Sequence, residues 1–155
     1  TFNSDFAFED QGNIDTWGLA LRIENDINDD LQFTSISDFK DYEKLLFLDV
    51  DGGPANQSVN YAAVDATSFT QEFRLNGTAD QTRWVAGLYY LNIDNVSDNG
   101  LKFPVNSVVP GAPFDLGSDA DLETDSYSLF GQVEYDLRED LTLIVGARVI
   151  QEEKE

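Results

Sequence analysis

Among its 155 residues the sequence has no cysteine, no methionine and no histidine. Each absence removes a class of chemistry. Without cysteine there is no disulfide framework, thiolate zinc site, iron–sulfur cluster or sulfur nucleophile. Without histidine there is no Ser-His-Asp or Cys-His relay and no imidazole-ligated metal or haem within this chain. Positive charge is also scarce: 9 Lys and Arg stand against 30 Asp and Glu, a formal charge of −21. Nucleic-acid binders neutralise phosphates with clustered Lys and Arg, so nucleic acid is excluded as a partner. No apolar run approaches the roughly 18 residues of a transmembrane helix. The N-terminus lacks the basic stretch and apolar core of a signal peptide. The ragged start Thr1-Phe2-Asn3 reads as a piece cut from a longer chain.

What is present is aromatic and ordered in pattern. Eleven Phe, six Tyr and two Trp are far more than an acidic disordered segment carries. The apolar residues recur every second position, the signature of a strand. In 16–24, Trp17, Leu19, Leu21 and Ile23 alternate with Thr16, Gly18, Ala20, Arg22 and Glu24. In 126–137, Tyr127, Leu129, Gly131, Val133, Tyr135 and Leu137 alternate with Ser126, Ser128, Phe130, Gln132, Glu134 and Asp136. The same period runs through 141–150 and 69–75, more weakly through 31–42, while 84–91 is apolar on both faces. On a helix, residues two apart lie about 200° apart, so none of these sets would make one stripe. The pattern predicts about six strands, near 15–26, 31–42, 67–76, 82–94, 124–137 and 141–152, and no helix.

The connections alternate in length. Short turns fall at Ile27–Asp30, Asn76–Asp80 and Arg138–Asp140, and long connections at about 43–66 and 95–123. Most of the charge lies in the connections and strand ends; residues 72–93 are neutral, with Glu72 and Asp80 against Arg74 and Arg83. Short turns at one end and long loops at the other are usual in outer-membrane β-barrels. Compact soluble domains seldom hold structureless loops longer than about 12–15 residues. Arg22, Glu24, Glu72, Arg74, Glu134 and Arg148 share the polar side of their strands. In a barrel that side is the water-filled lumen; in a soluble sheet it is the solvated face. The pattern alone leaves both open.

Specific runs then carry a resemblance. Thr70-Gln71-Glu72-Phe73-Arg74-Leu75 and Arg83-Trp84-Val85-Ala86-Gly87-Leu88-Tyr89-Tyr90 resemble consecutive barrel strands of TonB-dependent outer-membrane receptors. Glu123–Val133, Asp140–Arg148 with Glu152-Glu153-Lys154, and Asn25–Asp38 are similar to further strands of that family, in family order. The resemblance covers roughly residues 14–155. It implies an all-β, antiparallel up-and-down meander forming part of a large transmembrane β-barrel of 22 strands. By that resemblance, 1–155 is a partial barrel segment without the plug domain, in the outer membrane of a Gram-negative bacterium. The implied function is uptake of siderophores, cobalamin, haem or carbohydrates. The implied partners are outer-membrane lipid, the plug of the same parent chain, the TonB complex through parts absent here, and a small-molecule substrate. No enzymatic activity, cofactor or metal is expected.

The candidate sites are two groups. Arg22, Glu24, Glu72, Arg74, Glu134 and Arg148 are expected to line the lumen. Tyr42, Phe47, Tyr61, Phe103 and Phe114, on or beside the long connections, are expected to contact a ligand, because loop aromatics stack on sugars and chelates; packing the loop is their plainer role. Asp49-Val50-Asp51-Gly52 opens like a calcium loop, but its Gly comes early and the twelfth position is Asn60, not Glu. A looser calcium site at Asp115, Asp119, Asp121 and Glu123 belongs to the alternative reading, a secreted soluble β-sheet binding module. A small complete barrel of about eight strands would need two strands the sequence does not display.

Overall fold

The computed structural model describes residues 11–50, 52–55, 57–107 and 110–155. Six antiparallel strands follow one another: β1 (Gln11–Asn28), β2 (Leu31–Asp49), β3 (Val59–Ala79), β4 (Thr82–Phe103), β5 (Phe114–Arg138) and β6 (Leu141–Lys154). They form one sheet in the order β1-β2-β3-β4-β5-β6, each strand beside its sequence neighbours. The sheet is an open meander, not closed between β1 and β6. Among the described residues there is no helix.

Turn chemistry explains the tight hairpins. Asp29-Asp30 joins β1 to β2, and the Asn28 side-chain oxygen accepts from the Asp30 N–H at 2.9 Å, an Asx turn that competes with continued strand. At the β3–β4 turn Asp80 takes φ of 47°, the left-handed region that Asp tolerates better than most residues. At the β5–β6 turn the register slips between Asp136 and Arg138, so one extra β5 residue is absorbed as a bulge. The tight end of the meander is thus set by Asn and Asp.

The strands run further than the periodicity predicts. Residues 43–49, 59–66, 95–103 and 114–123 are strand, so the long connections shrink to 50–58 and 104–113. β5 has 25 residues, whereas a tilted bilayer span needs about 9–11. The reason lies in the strand itself. In 114–122, Asp115, Asp119 and Asp121 share one face while Phe114, Leu116, Ala120 and Leu122 hold the other, so the period of two continues through a stretch whose acid content reads as loop, and β5 stays beside β4. Asp115, Asp119, Asp121 and Glu123 therefore sit on β5, not in a loop.

By packing, the chain falls into two units: 1–17, 41–67 and 94–122 form one, and 18–40, 68–93 and 123–155 form the other. In the first, Tyr61 is the one large apolar side chain buried among the described residues, at 7 % exposure. The second has no buried large apolar side chain; what it buries is small and polar: Thr34, Thr124, Ser126 and Ser128. Its apolar side chains are instead displayed, with Leu19, Leu21, Ile23, Phe73, Leu88, Leu129, Val133, Leu143, Val145 and Val149 all exposed. A water-soluble domain of this length would bury most of these.

Glycine sets one close approach in this second unit. A side-chain carbon at Gly87 would lie 2.8 Å from the Phe73 carbonyl oxygen and would enter the Phe130 ring. The missing side chain lets Phe130 on β5 lie over β4. Gly87→Ala in the full-length receptor is expected to lower stability by about 1–3 kcal/mol, because backbone on one side cannot yield. Heat-modifiable migration on denaturing gels measures this; an unchanged transition temperature would refute the packing account.

Candidate functional site

In the unit formed by 18–40, 68–93 and 123–155, the two sides of the strands differ in chemistry. On one side, Phe33 stacks on Phe73 at 6.1 Å, and Tyr90 lies 6.3 Å from Phe69 and 4.9 Å from Tyr127. These rings tie β2, β3, β4 and β5 together beside Leu88, Leu129 and Val149. Polar groups are few there and satisfy one another. Gln71 donates to Ser35 Oγ and the Ile36 carbonyl, both at 3.1 Å, and accepts from Ser37 Oγ at 2.5 Å. Asp125 accepts from Tyr90 Oη at 2.7 Å and Asn92 at 3.2 Å. Internal pairing of this kind is what a surface without water demands.

The other side carries the ion pairs. Arg22 bonds Glu24, and Arg74 bonds Glu72, each two residues away along its own strand. Arg83 on β4 reaches β5: its two terminal nitrogens donate to Asp136 at 2.7 and 2.9 Å, and Nε donates to Glu134 at 3.2 Å. Asp136 also accepts from Thr142 Oγ1 at 2.7 Å, and Glu134 from Gln132 at 3.1 Å. Arg148 on β6 faces Phe130 across the β5–β6 ladder, and its guanidinium lies 5.5 Å from the Tyr89 ring centre. Glu72, Arg74, Tyr89, Phe130 and Arg148 line one hollow.

All six residues expected on the polar side are therefore on strands, and three of them, Glu72, Arg74 and Arg148, are brought together. Arg22 and Glu24 pair on β1, and Glu134 joins a separate cluster with Arg83 and Asp136. Arg83, Tyr89 and Phe130 were missed. Because 84–91 is apolar on both faces, the sequence does not assign those β4 side chains to a side. The signal for Arg83 was present in the even spacing of Glu134 and Asp136, which asks for a cation opposite.

The aromatic group is dispersed. Tyr42 and Phe47 are half-buried on β2, while Phe103 and Phe114 flank the 104–113 connection with ring centres 6.0 Å apart. Tyr61 does not lie in a loop. It lies on β3, near Gly100 on β4 and Gly117 on β5, where a side-chain carbon at Gly100 would come within 2.7 Å of it. Lys102 Nζ lies 4.4 Å from the ring centre. This is a packing position, and the absence of side chains at 100 and 117 creates it. Among the described residues no group of acidic side chains is arranged to hold a metal ion; Asp51 of the calcium-like run lies outside those residues.

Long antiparallel strands with one apolar, internally satisfied side and one ion-paired side define the wall of a membrane β-barrel. The chain belongs to the TonB-dependent receptor family: the profile described as "TonB dependent receptor-like, beta-barrel" matches residues 1–154. Proteins of this family are outer-membrane receptors of Gram-negative bacteria that bind small-molecule substrates, carry a plug domain, and transport rather than catalyse. The fold is similar to that of the ferric yersiniabactin uptake receptor FyuA from Yersinia pestis. That match has a TM-score of 0.72 at 17% identity and covers 94% of this chain and 21% of that one. It is also similar to the siderophore receptor PiuA from Acinetobacter baumannii, with a TM-score of 0.58 at 12% identity, over 94% of this chain and 29% of that one. The chain thus spans less than a third of the length of either.

Two predictions follow from these clusters. Arg83→Gln leaves Glu134 and Asp136 facing each other without their cation, so the full-length receptor is expected to lose its folded, heat-modifiable form at a lower temperature. Adding Asp136→Asn should restore part of the loss, since it removes the repulsion; no recovery would count against it. Burial, then a hydrogen bond to Asp98 and the charges of Asp98, Asp115 and Asp119, raise the Tyr61 phenol above its ordinary value. Tyr61 lies on β3 beyond the alternating apolar stretch, toward the 50–58 connection. Its packing is therefore complete below about pH 10 and is lost as pH rises through the higher folded value. Protection of residues 59–66 from proteolysis should fall at strongly alkaline pH in the wild type and hold further in Tyr61→Phe.

Proposed function

We propose that the chain is a wall segment of an outer-membrane transporter that takes up ferric siderophores. The observation that carries the reading is the division of the strands into an apolar, self-satisfied side and an ion-paired side. Lipid covers the side bearing Phe33, Phe73, Leu88, Tyr127, Leu129 and Val149. Arg22, Glu24, Glu72, Arg74, Glu134 and Arg148 line the lumen, facing the plug domain of the parent chain and the solute that passes. The connections 50–58 and 104–113 open to the outside, where Phe103 and Phe114 stand at the entrance. TonB drives transport through parts of the parent beyond this segment. Siderophores are favoured over cobalamin, haem and carbohydrates because both similar structures are siderophore receptors by name.

The alternating charge pairs have a physical role in this reading. A lumen that passes an iron chelate must stay wet, yet its wall must not hold the solute by fixed charge. Pairs such as Arg22–Glu24 and Arg74–Glu72 give polarity while cancelling most of the local field.

The test uses the full-length parent. It should require detergent for a monodisperse, β-rich form, and cells relying on it for iron should accumulate ferric siderophore only when TonB is intact. A parent that is monodisperse without detergent would sink the membrane reading. Uptake of haem or cobalamin in place of ferric siderophore would sink the substrate assignment alone.

A further inference from the structure

The apolar side of the wall is not flat. A groove of about 570 Å³ crosses β3 to β6, walled by Phe73, Leu88, Tyr90, Tyr127, Leu129 and Val149. The volume falls within the range of ligand pockets, about 300–1,000 Å³. Leu88, Leu129 and Val149 are each more than half exposed, so the strands do not fill the groove themselves. Strand register builds it. Leu129 lies opposite Val149 and Tyr127 opposite Gln151, while Tyr90 leans onto Tyr127 with ring centres 4.9 Å apart. A plug lies inside a barrel, so it does not cover this outer side.

The chemistry changes at one level on three neighbouring strands. Beyond Tyr90 stands Asn92, beyond Tyr127 stand Asp125 and Glu123, and beyond Val149 stand Gln151 and Glu153. The stretch from Leu141 at the tight turn to Ile150 matches one bilayer span of about 9–11 residues. This level is therefore where hydrocarbon gives way to lipid headgroups. Asp125 stands there on β5, with both neighbouring strands in place. Tyr90 Oη and the Asn92 amide both bond its Oδ1; both donors are neutral, and Oδ2 takes neither. Opposite Asp125 in the ladder is Glu153, which accepts from Gln151 at 3.0 Å. Like charges directly opposite each other on a sheet repel, and beside hydrocarbon they are screened less than in water. Among the described residues neither acid pairs with a Lys or Arg. An apolar groove thus ends beneath two carboxylates with no cation between them.

We infer that this groove seats one lipid of the surrounding leaflet, selected for a primary ammonium head. The chain lies against Phe73, Leu88, Leu129 and Val149, and the ammonium donates to Asp125 Oδ2 and to Glu153. The chain alone gives little preference, because lipid tails are as apolar as the side chains they meet. The head provides the selection: an anionic head meets two carboxylates, while an ammonium relieves their repulsion. The inference rests on the reading of this side as covered by lipid.

The test titrates phosphatidylethanolamine and phosphatidylglycerol of equal chain length into the full-length receptor in detergent, with bound lipid counted by native mass spectrometry. Phosphatidylethanolamine should bind the wild type more tightly. Asp125→Asn keeps an acceptor for Tyr90 and Asn92 but removes the charge. It should weaken phosphatidylethanolamine about fivefold, the upper scale of a partly exposed ion pair, without weakening phosphatidylglycerol. Leu88→Trp fills the groove and should weaken phosphatidylethanolamine with both acids intact. Leu21→Trp, on β1 away from the groove, should change neither lipid, and heat-modifiable migration establishes that each variant is folded. Equal affinity for the two lipids, or undiminished phosphatidylethanolamine binding in Asp125→Asn, would overturn the assignment. So would a receptor that carries no lipid but runs as a dimer broken by Leu88→Trp, which would give the groove to a second copy. A receptor that needs detergent yet shows no preference between heads refutes this seat alone; one that is monodisperse without detergent removes the membrane reading beneath it.

Discussion

A peptide group in hydrocarbon has no water to bond, so every N–H and C=O that crosses a bilayer must find a partner within the protein. That requirement shapes the whole chain. A sheet meets it by pairing each strand with its neighbours, which the order β1 to β6 does without a crossover. Side chains are then released from the task of filling a core. One side can be apolar and the other ionic, because neither has to pack against a second layer. The scarcity of buried side chains, odd for 155 residues taken as a soluble domain, is the direct result. The edges follow the same rule: a barrel pairs β1 and β6 with further strands, since an open edge in lipid leaves a row of unsatisfied groups.

The few polar groups on the apolar side obey the constraint locally. Gln71 spends its amide on Ser35 and the Ile36 carbonyl and takes the Ser37 hydroxyl in return. Asp125 takes two donors, Tyr90 and Asn92. In water such bonds compete with solvent and contribute little. Against an apolar surround the alternative is an unmade bond, so the pairing is what makes the residues tolerable there. The opposite side works by another rule: its pairs sit in the open and serve mainly to cancel charge.

Much of this was legible in sequence, and for a physical reason. A period of two is unmistakable when one side must be apolar, so Trp17–Ile23, Tyr127–Leu137 and Leu141–Val149 identified their strands and sides directly. The runs Thr70–Leu75 and Arg83–Tyr90 were enough to carry the family resemblance. The signal failed where the constraint relaxes. At 43–49, 59–66 and 95–103 the alternation is broken, at 114–123 it is masked by the crowd of Asp115, Asp119 and Asp121, and residues that read as loops continue the ladder. Tyr61 was misplaced for that reason: its role depends on Gly100 and Gly117, which lie on two other strands and are close only in the folded sheet. The grouping of Tyr89, Phe130 and Arg148 was invisible for the same reason, since it depends on cross-strand register.

Charge shows how the two sides are reconciled in one strand. An acidic total is harmless to a barrel where the acids keep to the turns, the outer strand ends and the wet side, and Asp125, on the apolar side, is tolerated through its bonds from Tyr90 and Asn92. On the wet side, a lone carboxylate would repel an anionic solute and a lone cation would trap it. Paired residues at Arg22–Glu24, Arg74–Glu72 and Arg83–Asp136 avoid both.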